Sequence, residues 1–352
     1  MIFMKRYDYV DVLKAFAIFL VVFAHAPLCD NALKQFIYSF HMPVFFFVYG
    51  LTYNLSSHEN KGFLTKLFVF GKLKRLIIPA AFWSLFYAAL NGIKQGSFSI
   101  KSFLYILYGS QYGFKAADSL TSIWFLPCMF AAVCFTEIIM CFVNSLKCKN
   151  PYKYFTIMVF AFVLSMISYF LPHIKIGYPW CVNVAPMACA FILFGYIFKV
   201  ITRKYVKFYS GVNLLFFTVF TFVFLFFTFK LNLKYIQINN VDMASSEYGN
   251  YFLYIMDAML GTVMLTSFSA FVTKMRLNIS PLIALGKSTM PIFLLHKPII
   301  QKLCHICNAA FPQADNFLVV TAISFVTVII SYGLTIIIRY TVPVIIGERK
   351  TK

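Results

Sequence analysis

The sequence predicts an all-α fold, a polytopic integral membrane helical bundle of about ten transmembrane helices, and three observations carry that reading. Hydrophobic residues make up 61% of the 352, and charged residues only 12%. Apolar runs of about 20 residues, the length a helix needs to cross a hydrocarbon core, recur along the whole chain. The basic residues, finally, concentrate in alternate connections.

Spans are expected near 10–28, 36–54, 76–93, 123–143, 154–171, 180–198, 211–230, 252–271, 282–300 and 317–338. With an even number of spans both termini share one side. If that side is cytoplasmic, the inward segments hold Lys5 and Arg6, then Lys61, Lys66, Lys72, Lys74 and Arg75, then Lys147, Lys149 and Lys153. They continue with Lys199, Arg203, Lys204 and Lys207, with Lys274, Arg276 and Lys287, and with Arg349, Lys350 and Lys352. Outward segments hold Lys34, Lys94, Lys101, Lys115, Lys175, Lys230, Lys234, Lys297 and Lys302. The inward excess is about two to one and favours a multi-pass cell-membrane protein with both termini cytoplasmic. A formal net charge of +20 is then a topology signal and an attraction to the headgroups of membrane lipids. No basic soluble domain is present to hold a nucleic acid, so that class of partner is set aside.

The N-terminus also imitates a secretory signal, with Lys5 and Arg6, an apolar core and Ala24-His25-Ala26. Its apolar stretch is long enough to stay in the bilayer, and cleavage would reverse the charge distribution, so retention is expected. No soluble domain, low-complexity tract or repeat interrupts the chain, and residues 1–352 read as one transmembrane domain. Two outward connections are long, near 94–122 and 231–251. In the first, Phe103-Leu104-Tyr105-Ile106-Leu107-Tyr108 suits a short amphipathic helix at the interface. The second is polar, with Asn239, Asn240, Asp242, Ser245, Ser246 and Glu247. Each either covers an outward site or serves as a solvated connector. Of the nine cysteines, Cys128, Cys134, Cys141 and Cys148 recur every six or seven residues, which suits packing. Cys304-His305-Ile306-Cys307 offers ligand atoms without a second pair at suitable spacing, so no metal is expected.

The chemically capable side chains fall at two depths. Towards the outer side lie His25 at the end of the first span, His41 at the start of the second, and Trp124-Phe125 opening the fourth. His173 and Trp180 flank the start of the sixth, Asp257 lies in the eighth, and His296 sits in the outer half of the ninth. Towards the inner side lie Asp8, Asp11, Lys14, Lys72, Lys74 and Arg75. Lys14 and His25 are eleven residues apart, about three helical turns, and therefore line one stripe at opposite depths. Ionisable groups within spans lose hydration and are kept where a cavity, a partner or chemistry needs them. Imidazole titrates close to neutral pH and suits a general base, whereas Lys and Arg clusters meet phosphate. The division suits transfer of a group from an anionic cytoplasmic donor to an acceptor reached from outside. Composition alone does not choose coenzyme A over another phosphorylated donor.

Several short motifs, in order, resemble the acyltransferase-3 family. They are Asp8-x-x-Asp11-x-x-Lys14 leading to His25, Phe40-His41-Met42-Pro43, Lys74-Arg75-Leu76-Ile77-Ile78-Pro79, Trp124-Phe125-Leu126, and Gly286-Lys287-Ser288 followed by Phe293-Leu294-Leu295-His296. The nearest resemblance within the family is to bacterial O-acetylases acting on fucose and related surface sugars. It implies acetyl transfer from cytoplasmic acetyl-CoA, the acyl donor substrate, to a sugar hydroxyl of a cell-surface polysaccharide or lipid-linked glycan, in a bacterial plasma or inner membrane. It also implies His25, with His41 and His296, as catalytic residues, His25 being general base or transient acyl acceptor. Lys14, Lys72, Lys74 and Arg75 become the donor-binding set. Asp8, Asp11, Trp124, Phe125, Glu137, Asp257 and Ser288 are placed as acceptor-binding or supporting residues, although Glu137 and Asp257 belong to no family motif. The family more often has arginine at the Lys14 position, and many relatives carry Ser-Gly where this chain has Tyr49-Gly50; Tyr49 is left out of the site for that reason.

Each assignment has a structural alternative. His25 as a core imidazole, His41 as packing, Arg75 as an inner-leaflet anchor, Trp124 as an aromatic-belt residue, and Glu137 or Asp257 as partners of a neighbouring helix are all compatible with the sequence. A transporter or flippase for a glycan or polar solute, with the histidines as a proton relay, is the alternative function. Such proteins often show matching Gly or Pro breaks in two halves, and no such pairing is seen here. Assembly into a homo-oligomer is left open by the sequence.

Overall fold

A computed structural model of the chain describes residues 8–54, 71–95, 100–116, 121–204, 210–236, 241–275, 277–310 and 317–348. Lys5, Arg6, Lys61, Lys66, Lys207, Arg276 and the basic residues 349–352 lie outside the described residues, as do Asn239 and Asn240. Among the described residues the structure is helical throughout with no β-strand, and Asp242 and Glu247 form an isolated antiparallel bridge. Two compact units divide the chain. The first holds Met1–Val48, Thr202–Asp242 and Glu247–Ile337; the second holds Tyr49–Ile201, Met243–Ser246 and Ile338–Lys352.

In the first unit α1 (Asp8–Ala24) is the central element, with Val12, Leu13, Ala17, Ile18, Val21, Val22 and Ala24 all fully or nearly fully buried. Most of its residues beyond Lys14 are apolar and buried, with Phe16, Phe19 and Leu20 half-buried, as suits a helix packed on most of its circumference. Asp30 then starts α2 (Asn31–Tyr38), its carboxylate accepting from the amides of Ala32 at 2.8 Å and Leu33 at 3.0 Å. A two-residue break leads to α3 (His41–Thr52), whose later residues pass into the second unit. Further along the first unit come α10 (Gly211–Asn232), α11 (Tyr251–Lys274), α12 (Ser280–Lys287), α13 (Thr289–Ala310) and α14 (Phe317–Thr341), numbered after the second unit's helices. Helices α10 and α11 form an extensively packed pair, and α1 packs against α11, α12 and α13. Gly286 is required in α12: a Cβ there would collide with the backbone carbonyl of Asp11 in α1.

In the second unit, beyond the end of α3, a π-helical stretch, Leu73–Ile77, carries Lys74 and Arg75 into α4 (Ile78–Gln95). It continues with α5 (Ile100–Tyr108), α6 (Gln111–Ala116), α7 (Phe125–Ser145), α8 (Asn150–Phe170) and α9 (Ala185–Lys204). The expected short amphipathic helix at Phe103–Tyr108 is thus the body of α5. Helix α9 is the buried core of this unit, with Met187 through Leu193 fully inaccessible. A second close approach fixes α3 against it, because a Cβ on Gly50 would meet the Ile192 carbonyl.

Seven helical stretches among the described residues are long and apolar enough to cross a membrane: Leu73–Ile93, Thr121–Ser145, Asn150–Phe170, Pro179–Arg203, Gly211–Tyr235, Tyr251–Lys274 and Phe317–Thr341. They correspond to seven of the ten expected spans. The other three are α1, which is 17 residues long, the region broken between α2 and α3, and α12–α13, interrupted at Ser288 and carrying Lys287, Lys297 and Lys302. His25 directly follows the first of these, and His41 and His296 lie within the other two.

Candidate active site

His25 follows the last residue of α1, and its amide still donates to the carbonyls of Val21 at 3.1 Å and Val22 at 3.2 Å. The ring is therefore held at the end of a rigid helix. His296, fully buried in α13, brings its Nε2 to 2.9 Å from His25 Nδ1. The rings are stacked at 5.0 Å with 28° between planes. His296 Nδ1 lies 2.7 Å from the Phe293 carbonyl and 3.3 Å from that of Ile292. A carbonyl only accepts, so His296 Nδ1 bears the hydrogen. In a neutral ring His296 Nε2 then carries a lone pair and accepts from His25 Nδ1–H. That leaves the lone pair of a neutral His25 on Nε2. The geometry thus selects one tautomer of each imidazole and leaves His25 Nε2 able to take a proton or attack a carbonyl.

Tyr38, the last residue of α2, stands edge-on to His25 at 6.2 Å and lies 4.7 Å from the His41 ring. Lys34, one turn earlier, places Nζ 5.6 Å from the Tyr38 centroid. His41 Nδ1–H donates to the Ile37 carbonyl at 3.0 Å. His41 therefore joins the same aromatic group through Tyr38, with one of its nitrogens held by backbone. Ser288 is buried at the junction of α12 and α13, where its amide donates to Leu285 and its carbonyl accepts from Ile292, setting the start of the helix that carries His296.

The remaining first-unit residues lie in other groupings. Lys14 pairs with Asp11 at 2.5 Å across one turn of α1, so its charge is neutralised within its own helix. Asp8 is exposed in the first turn of α1, where a carboxylate complements the helix dipole. Asp257, fully buried in α11, accepts from Asn232 Nδ2 at 3.2 Å, and Asn232 also takes the Asn250 amide at 2.9 Å. The Asp257 carboxylate thus engages an amide that ties the end of α10 to the start of α11.

In the second unit Lys72 donates to the Tyr49 hydroxyl at 2.8 Å and lies 4.5 Å over the same ring. Burial, then the nearby Arg75 cation, lowers the Lys72 ammonium to about 8. Lys74 and Arg75 are exposed on the π-helical stretch. Glu137 is buried in α7 and accepts from Tyr53 OH at 3.2 Å, while buried Lys199 of α9 donates to the Tyr53 carbonyl. Trp124 is buried at the end of the 3₁₀ turn Thr121–Trp124 and meets half-buried Phe125 edge-on at 6.3 Å.

Sequence reasoning named the two paired histidines, the cations and Glu137, but not Tyr38, Tyr49, Tyr53 or Lys199 as members of these groupings. Lys199 registers in the sequence only as a topology cation; α9 runs to Lys204, so Lys199 lies inside the helix. A lysine within a helix so deeply buried was the available signal.

Residues 7–336 match the acyltransferase domain family Acyl_transf_3, which is nearly the whole chain. No curated protein and no solved structure matches it.

Proposed function

Because the chain belongs to the acyltransferase domain family Acyl_transf_3, we propose that it is a membrane O-acetyltransferase that moves an acetyl group from cytoplasmic acetyl-CoA to a sugar hydroxyl. The acceptor is a cell-surface polysaccharide or lipid-linked glycan of a bacterial plasma or inner membrane, and fucose-type sugars are the first acceptors to try. The observation that carries the reading is the His25–His296 contact at 2.9 Å, with His296 anchored on the Phe293 carbonyl. It supports His25 as the reacting imidazole and His296 as the residue that orients it.

Two routes use that geometry. In direct transfer, His25 Nε2 takes the proton of the sugar hydroxyl as its oxygen attacks the thioester carbonyl. The tetrahedral intermediate collapses with loss of the coenzyme A thiolate, which receives the proton from His25. In the two-step route, His25 Nε2 attacks the thioester and coenzyme A leaves as thiolate; the sugar oxygen then displaces imidazole from the acetyl group, and the hydroxyl proton passes to the thiolate. Both routes need a lone pair on Nε2, and the His296 contact supplies the tautomer that has one. Lys74 and Arg75 are exposed cations suited to the phosphates of the donor, with Lys72 beside them on the same segment. Lys14 is assigned a smaller share because Asp11 already neutralises it.

The test is formation of a hydroxylamine-labile acetyl ester on membrane glycan, using acetyl-labelled acetyl-CoA and proteoliposomes loaded with lipid-linked glycan. Ester that requires both protein and acetyl-CoA is the expected result. Movement of glycan across the bilayer without acetyl-CoA, and without ester formation, would replace this reading with transport.

A further inference from the structure

The second unit carries a polar group to which the acyl-transfer reading gives no task. It consists of Tyr49 and Tyr53 at the end of α3, Glu137 of α7 and Lys199 of α9, and Lys72 enters it from the start of the π-helical stretch. Tyr53, Glu137 and Lys199 are buried. The charge distribution of the sequence assigns Lys72 and Lys199 to the inner side, where an anionic cytoplasmic donor would arrive.

The π-helical stretch has a cause in the sequence. Pro79 has no amide to donate, and in a regular helix its ring would crowd the Arg75 carbonyl four residues back. The wider turn, closed by the Ile78 amide on the Leu73 carbonyl, accommodates it. Single π-helical turns inside α-helices recur at functional sites. Of the three cations here, Lys74 and Arg75 are exposed, whereas Lys72 is half-buried. Two contacts fix Lys72 on one side chain: the Tyr49 hydroxyl accepts from Nζ at 2.8 Å, and Nζ stands 4.5 Å from the centre of the same ring. Ordering a long lysine side chain costs rotamer entropy, and a solvated membrane anchor needs neither contact.

Tyr49 is itself held from behind. Its ring lies 6.4 Å from that of Tyr53, whose hydroxyl donates to Glu137 Oε2 at 3.2 Å. Lys199 donates to the Tyr53 carbonyl, and Tyr196 meets the Tyr53 ring edge-on at 6.0 Å. The groups that act on the Lys72 charge are Lys74 and Arg75 on its own stretch, Tyr49 of α3 with Tyr53 beyond it, and Cys134 and Glu137 of α7. The turn Pro343–Ile346, packed against the same stretch, contributes apolar side chains, and Glu348 beyond it is engaged by Arg339 at 2.6 Å. Burial and the Arg75 cation oppose the Lys72 ammonium, and the Glu137 carboxylate favours it.

We propose that Tyr49 and Glu137 are positioning residues for the donor: Tyr49 fixes the Lys72 ammonium, and Glu137, held by Tyr53, offsets the repulsion between Lys72 and Arg75, so that both cations meet the donor phosphates together. The assignment rests on the acyl-transfer reading for the identity of the donor. It places Glu137 on the donor side of the reaction and gives Tyr49 a role that its place outside the family motifs does not suggest.

The experiment measures binding of coenzyme A, and of pantetheine, which carries no phosphate, to purified full-length protein by calorimetry between pH 7 and pH 9. Tyr49→Phe keeps the ring and removes the hydroxyl, Glu137→Gln removes the charge, and each is made in the native chain and in Lys72→Met; thermal melting reports whether each folds. The native protein should bind coenzyme A and lose affinity as pH rises through about 8. Tyr49→Phe should weaken binding at pH 7 by about threefold or more, and Glu137→Gln should bring the loss of affinity to lower pH. In Lys72→Met neither change should alter affinity by more than about twofold, because both act through Lys72. Pantetheine binding should respond to none of them. A merely structural role would lower the melting temperature without moving the pH profile or depending on Lys72. Unchanged coenzyme A affinity and pH profile in the folded variants, or equal weakening with and without Lys72, would overturn the proposal, and Tyr49→Phe decides the matter should Glu137→Gln fail to fold. Acetyl ester formation by a protein whose coenzyme A affinity ignores both variants would overturn this proposal alone. Coenzyme A binding that responds as expected, in a protein that forms no ester, would overturn the acyl-transfer reading and leave a phosphate site; no coenzyme A binding by the folded native protein would overturn both.

Discussion

Replacing His296 separates the orienting role of its ring from a packing role. In His296→Ala the Nδ1–H of half-buried His25 loses its 2.9 Å acceptor. That hydrogen bond strengthens as His25 becomes cationic in the reaction, where a bond to a charged group is worth about 1.5–3 kcal/mol, and at 1.36 kcal/mol per tenfold in rate the fall in kcat is roughly 10- to 150-fold. Loss of the orienting carboxylate in a Ser-His-Asp triad costs about 10⁴; the partner here is a neutral imidazole, so the smaller figure applies. The KM for acetyl-CoA should stay within about twofold, because the contact is made to the reacting imidazole and not to the donor. His296→Gln retains an amide oxygen near the original Nε2 and should recover part of the lost kcat. The assay is steady-state acetyl transfer by purified variants whose thermal melting matches the native protein. A kcat within twofold of native in His296→Ala, or no advantage of Gln over Ala, would refute the orienting role.

Other outcomes follow from the two units separately. Arg75→Ala should raise the acetyl-CoA KM several-fold with little change in kcat, and an unchanged KM would remove Arg75 from donor binding. The Lys72 ammonium, lowered to about 8 by burial and by Arg75, is mostly charged at pH 7 and mostly neutral at pH 9. If it holds the donor, acetyl-CoA KM should rise over that interval, and Lys72→Met should flatten the rise; an equal rise in the variant would contradict it. The sign for stability is opposite: the unfolded chain binds the proton more tightly between about pH 8 and the ordinary lysine value near 10.4, so this group adds stability as pH rises through that window. Gly286→Ala should lower the melting temperature by several degrees, since overpacking a tight contact costs about 1–3 kcal/mol. Gly333→Ala, where an added Cβ meets nothing within 4 Å, should not.

Much of the helical architecture was legible because lipid imposes a length and a polarity that composition reports directly. Seven expected spans coincide with apolar helices for that reason. The spans that fall short are informative too. Around His41 the expected single span is two helices, since α2 is an amphipathic element capped by Asp30. Pairing across the fold was not legible. Lys14 and His25 share a stripe in sequence, yet Lys14 is paired with Asp11 and His25 with a residue 271 positions away. Hydropathy carries no information about which buried polar atoms meet, whereas geometry does. The 231–251 connection shows the same limit: its polar character is evident, but the hydrogen bonds of Ser245 and Ser246 to Gln111 and Asn183 are not.

The most direct test of acyl transfer centred on His25 is the appearance of radiolabelled acetyl in glycan within inside-out membrane vesicles. Vesicles would carry either the native chain or folded His25→Ala at equal abundance, with labelled acetyl-CoA added outside and acceptor glycan shown to be present. Labelling by the native protein, and its loss to background with His25→Ala at unchanged acetyl-CoA affinity, is the predicted result. Equal labelling by both would contradict the assignment of His25 as the reacting imidazole, and no labelling by either would contradict acetyl transfer itself.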